Sequence, residues 1–114
     1  MISSHFAKTL APPYYAVVFT SKRTAGDQGY DKMADLMEEL AKQQPGYLGI
    51  ESVKNNDGFG ITVSYWESEE SNREWKAQLE HQIAQKQGRK LWYEHYEIRI
   101  ARVERAYNMQ TSSL

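Results

Sequence analysis

The chain has no cysteine. That excludes a disulfide framework, a thiolate nucleophile and any thiolate-bound zinc or iron–sulfur centre. It has almost no net charge either: 14 Lys and Arg stand against 15 Asp and Glu. A dedicated nucleic-acid binder normally carries a basic excess, so nucleic acid is not an expected partner. Long apolar runs are missing. The longest, Tyr14-Tyr15-Ala16-Val17-Val18-Phe19, falls far short of the roughly 20 residues of a spanning helix. Met1 to Leu10 holds no apolar signal core, so neither export nor a membrane partner is expected, and the expected location is cytoplasmic. Phenylalanine is scarce, with 3 residues against 8 Tyr and 3 Trp. Most rings therefore carry a hydrogen-bonding group, which suits interfaces and ligand pockets better than dry cores.

With 114 residues there is enough chain for one domain and one core, and little to spare for walling off a large cofactor. Pro12-Pro13 closes an extended, loosely held leader over 1–13. Tyr14 to Arg23 is β-branched and aromatic and reads as a strand. Asp27 then offers an N-cap. Tyr30, Met33, Ala34, Met37, Leu40 and Ala41 recur at helical spacing, and Pro45-Gly46 stops that helix. Tyr47 to Lys54 and Gly60 to Trp66 alternate as strands around the hairpin signal Asp57-Gly58. Ser68 and Ser71 both suit a helix cap, and Ser71 with Glu74 has capping-box spacing. Trp75, Leu79 and Ile83 share one face of the second helix. Gly88 interrupts, Arg89 to Tyr93 reads as a last helical piece, and Glu94 to Tyr107 as the closing strand. The tail, 108–114, is expected to be flexible.

The order β-α-β-β-α-β predicts a ferredoxin-like α+β fold, a four-stranded antiparallel sheet with helices on one face. Ala16, Val18, Val53 and Val103 are apolar on the face the helices leave bare. A second copy of the chain is the simplest cover, so a homodimer is expected.

The richest aromatic stretch is Ser64-Tyr65-Trp66-Glu67-Ser68, followed by Trp75, His81, Arg89 and Trp92-Tyr93. His81 falls off the line of Trp75, Leu79 and Ile83. If it edges a pocket beneath the second helix, it is the natural general base at neutral pH. Trp66, at the end of its strand, reads either as a ring closing the core or as one that stacks on a flat ligand, and His81 either as a flank residue or as that base; these two are the candidate catalytic residues. Tyr65, Trp75, Trp92, Tyr93 and Arg89 are the candidate substrate-binding set. No metal site is expected, since His81 and His95 stand fourteen residues apart with no third ligand at hand. Gly58-Phe59-Gly60 lacks the rest of a dinucleotide loop.

Pro45-Gly46-Tyr47-Leu48-Gly49 with Glu51-Ser52, then Thr62-Val63-Ser64-Tyr65-Trp66, Trp75-Lys76 and Glu80-His81, resembles the antibiotic biosynthesis monooxygenase family. Gly88-Arg89, Trp92-Tyr93 and Val103 to Tyr107 extend the match, which covers the single domain 14–107. The resemblance implies a dimeric α+β barrel with a cleft in each subunit. It also implies a monooxygenase that needs no cofactor, acting with O₂ on a small aromatic substrate of phenol or quinol type. A non-catalytic dimeric binder or sensor of a hydrophobic metabolite is the alternative. Haem degradation, known for another branch, is disfavoured. That branch uses an Asn on the first strand and a His ten residues after the helix Trp. Tyr14 to Arg23 holds no Asn, and Gln85 stands ten residues after Trp75.

Overall fold

A computed structural model describes residues 6–86 and 88–111. Its elements run β1 (Tyr14–Arg23), α1 (Tyr30–Lys42), β2 (Tyr47–Lys54), β3 (Phe59–Trp66), α2 (Glu69–Gln85), α3 (Gly88–Leu91) and β4 (Tyr93–Val103). The four strands form one antiparallel sheet in the order β2-β3-β1-β4. This is the ferredoxin-like plan that the element order predicts.

Strand alternation sorts the side chains. Val17 and Phe19 of β1 and Trp66 of β3 pack toward the helices. There they meet Met33, Met37 and Ala41 of α1, and Trp75 and Ile83 of α2. On α1 these residues recur every four positions, and on α2 Leu79 completes the same spacing between Trp75 and Ile83, so each helix has a single apolar stripe to bury.

The element ends differ from the expectation in instructive ways. Asp27 does not occupy the cap position of α1; Gly29 does, with φ +86°. The Asp27 carboxylate nevertheless accepts from the Gly29 and Asp31 N–H groups at 2.9 and 3.0 Å. Those bonds, the one from Asp31 foremost, hold its carboxyl below the usual range. The capping box of α2 is Ser68 with Ser71, not Ser71 with Glu74. β4 ends at Val103 rather than Tyr107, because Val103 pairs with Tyr14, the first residue of β1. Beyond it there is no strand to bond. The last helical piece is Gly88–Leu91, closed by the Trp92 N–H donating to the Gly88 carbonyl.

The leader is held more firmly than predicted. The Ala7 N–H donates to the Glu51 carboxylate at 3.0 Å, and Tyr65 donates to the other oxygen at 2.7 Å. Ala7 sits over Gly49 so closely that a Cβ there would lie 2.7 Å from its own. This covers one end of the second sheet face, where Tyr14 and Ala16 are buried. At the other end Val53, Phe59 and Ile61 stand exposed. Of the tail, Asn108 to Thr111 form a turn, with the Asn108 side chain accepting from the Gln110 and Thr111 N–H groups. Residues 1–5 of the leader and 112–114 of the tail lie outside the described residues.

Candidate functional site

Between the sheet and the two long helices lies a cavity of about 400 Å³. Its floor is Val17, Phe19 and Ser64 of the sheet. Met33 and Met37 of α1 roof it, and Trp75, Leu79 and Ile83 of α2 form one wall. Tyr30 and Tyr93 close one end, with rings edge to face at 5.9 Å. Ser64, at mid-sheet, contributes a small side chain to that floor. A serine there leaves a gap that a leucine would fill. The cavity opens between α1 and β2, where a shallower groove past Asp31, Asp35, Ser52 and Lys54 continues it.

The cavity combines apolar walls with polar groups placed at its mouth, rim, floor and end, the mixture found in small-molecule pockets. Ser52 and Thr62 stand at the mouth with their hydroxyls 2.7 Å apart. Asp35 and Glu38 border the rim from α1. Glu51 also touches the cavity, but both its carboxylate oxygens are engaged by Tyr65 and Ala7. Among the described residues no histidine, lysine or arginine lines the cavity. No group of three potential metal ligands occurs among them either.

Two of the seven predicted site residues line the cavity: Trp75 and Tyr93. Burial pushes the Tyr93 hydroxyl well above the usual tyrosine range, so it stays a neutral phenol. The others stand elsewhere. His81 is exposed on α2. Two residues beyond Leu79 it has turned about 200° around the helix, away from the wall that Leu79 builds. In the single chain it is not placed as a base for a ligand in the cavity. Tyr65 follows Ser64 on a strand and so points to the opposite face, where its hydroxyl is bonded to Glu51. Burial, foremost, and that bond raise its hydroxyl above the ordinary range. Trp66 is fully buried behind Trp75, stacked on it at 5.5 Å. Trp92 is buried beside Gly88, where a Cβ would lie 2.7 Å from its ring, and its indole N–H donates to the Gln28 carbonyl at 2.9 Å. Arg89 is exposed and donates to the Tyr96 hydroxyl at 3.0 Å.

Ser64 is one of the cavity residues to which sequence reasoning gave no site role, although it opens the richest aromatic stretch. The signal was present: two residues from Trp66 on a strand, it must share that ring's face. Arg23 has a comparable structural role. Its guanidinium lies 3.4 Å over the Tyr30 ring and donates to the Trp92, Gly26 and Asp27 carbonyls. One side chain thereby ties the start of α1 to the start of β4.

A single-layer sheet roofed by two helices, with an apolar cavity between the layers, defines a small α+β pocket protein. The chain belongs to the antibiotic biosynthesis monooxygenase family, whose sequence model matches residues 16–87. It is 50% identical over 99 residues to the uncharacterized protein YqjZ of Bacillus subtilis, with 87% of each chain covered. Among solved structures it resembles SnoaB, a cofactor-independent oxygenase from Streptomyces nogalater. That likeness has a TM-score of 0.67 at 12% identity, over 83% of this chain and 97% of that one. PA3566 from Pseudomonas aeruginosa matches with a TM-score of 0.63 at 10% identity, over 86% and 99%. At such identities the likeness is one of fold. Among the described residues no helix is long and apolar enough to cross a membrane.

Proposed function

We propose that this chain is a monooxygenase-like enzyme that holds a small, flat aromatic molecule of phenol or quinol type in the cavity, where it reacts with O₂ without a cofactor. The observation that carries this reading is the cavity. Its size suits a ligand of two or three rings. Trp75, Phe19 and Tyr93 offer ring faces and edges, Ser64 stands on the floor, and Ser52 and Thr62 form a bonded pair at the mouth. Family membership and the fold shared with a cofactor-independent oxygenase support it.

The chemistry needs little from the protein. An electron-rich phenol gives up its proton, and the resulting carbanion-like ring passes electrons to O₂. One oxygen atom remains on the ring as a quinone carbonyl and the other leaves as water, the substrate supplying all the electrons. The carboxylates of Asp35 and Glu38 are the basic groups at the rim. The apolar walls keep water from competing.

A second reading, a binder that catalyses nothing, draws on the absence of histidine from the lining. O₂ uptake with a panel of phenols and quinols separates the two. The enzyme reading expects uptake that Leu79→Trp lowers at least about tenfold by filling the cavity, while His81→Ala leaves it unchanged. Ligand titrations that saturate without any O₂ uptake decide for the binder.

The exposed Val53, Phe59 and Ile61 support a further part of the reading, a homodimer joined through the second sheet face. Light scattering tests it, and a monomer at micromolar concentration would contradict it.

A further inference from the structure

We propose that Ser64 is the hydrogen-bond donor that fixes an oxygen atom of the ligand in the cavity, and that Trp66 is the positioning residue that commits Ser64 to donating. This rests on the reading of the cavity as an aromatic-ligand site.

A serine hydroxyl has one hydrogen and two lone pairs, whereas an indole N–H only donates. The Trp66 Nε1–H donates to the Ser64 Oγ at 2.9 Å. One lone pair is thereby used, and the hydroxyl hydrogen is turned away from the indole. Among the described residues no protein acceptor takes that hydrogen. Ser64 is 3% exposed and lies on the cavity floor, opposite Val17 on β1 and Ile50 on β2. Its hydrogen therefore points from an apolar floor toward whatever fills the space. Donation from the indole also polarises the hydroxyl and strengthens it as a donor. Of the other lining hydroxyls, Ser52 and Thr62 are bonded to each other at the mouth, and Tyr30 and Tyr93 stand together at the end of the cavity. Trp66 has no exposed surface and sits behind Trp75, so it reaches a ligand only through Ser64.

The ligand class follows: an aromatic bearing an acceptor oxygen, either a quinone or ketone carbonyl or a phenolate. A bare hydrocarbon of the same shape fills the cavity without using Ser64.

Calorimetric and NMR titrations with 1,4-naphthoquinone and with naphthalene test this. The lack of cysteine removes thiol addition to the quinone as a side reaction. Ser64→Ala should weaken naphthoquinone about tenfold and naphthalene by less than about twofold. Trp66→Phe, which leaves the lining intact, should shift the ratio the same way by about threefold to fivefold. Ser64→Thr should restore most of it. If Ser64→Ala fails to fold with its indole unpaired, the double variant Ser64→Ala/Trp66→Phe removes both partners and carries the test. Equal effects on the two ligands, or an unchanged ratio in Trp66→Phe, overturn the proposal and leave the aromatic site standing. A wild-type protein that binds neither ligand overturns both.

Discussion

Tyr93 and Tyr65 are held as neutral phenols by their surroundings, with burial as the first cause in each case. The sign of the consequence is fixed. In the unfolded chain both ionise near the ordinary value of 10.0, while the folded protein keeps their protons. The stabilisation is complete below that value and declines as pH rises past it toward the raised folded values. Urea unfolding from about pH 8 to about pH 11 should therefore show falling stability, and Tyr93→Phe should flatten the fall. Single residues were the least legible part of the sequence. Composition marked Trp66 and His81 as chemically able, yet whether a side chain can act depends on its direction. Trp66 ends behind another ring and His81 ends in solvent. Ser64, chemically ordinary, gains importance only because the indole two residues away donates to it.

At the level of elements, the start of α2 is locked to the start of β2. Gly46 has φ +84°, and a Cβ there would lie 2.5 Å from the Ser71 Oγ, the hydroxyl that completes the capping box. Gly46→Ala should cost roughly 2–4 kcal/mol, from left-handed backbone strain and the clash together. Chemical denaturation measures it. A loss within about 0.5 kcal/mol would show that the cap shifts freely. Strands and helices were readable because their apolar periods differ, 2 against 3.6. Their ends were less so. β4 stops where its partner strand stops, which no local pattern in Val103 to Tyr107 encodes. The box on α2 uses Ser71 as the reciprocal acceptor, a role normally looked for in Glu or Gln.

For the whole molecule, the two faces of the sheet have different fates. One is roofed by helices over a cavity. The other is half covered by the leader and half bare, with Val53 and Ile61 facing each other across β2 and β3. If a second copy covers this face, Ile61→Glu should convert a dimer to monomers. The change is read by sedimentation, and the cavity should continue to bind its ligand. The two-sided apolar pattern of β1 was legible from sequence and anticipated an extra layer. That part of the layer comes from the chain's own leader was not, because the contact depends on Gly49 leaving room for Ala7.

The Arg23 clamp bears on traffic into the molecule. By holding the Tyr30 ring and the Trp92 and Asp27 carbonyls together, it fixes Tyr30 at the end of the cavity that Tyr30 and Tyr93 line. On the opposite side α1 faces β2 across the open groove, spanned by the exposed Asp31–Lys54 ion pair at 3.9 Å. Such a pair is weak and easily parted. If the cavity takes a ligand, the groove past the exposed Asp31 and Lys54 offers it an entry among the described residues, with the serine on the floor behind it.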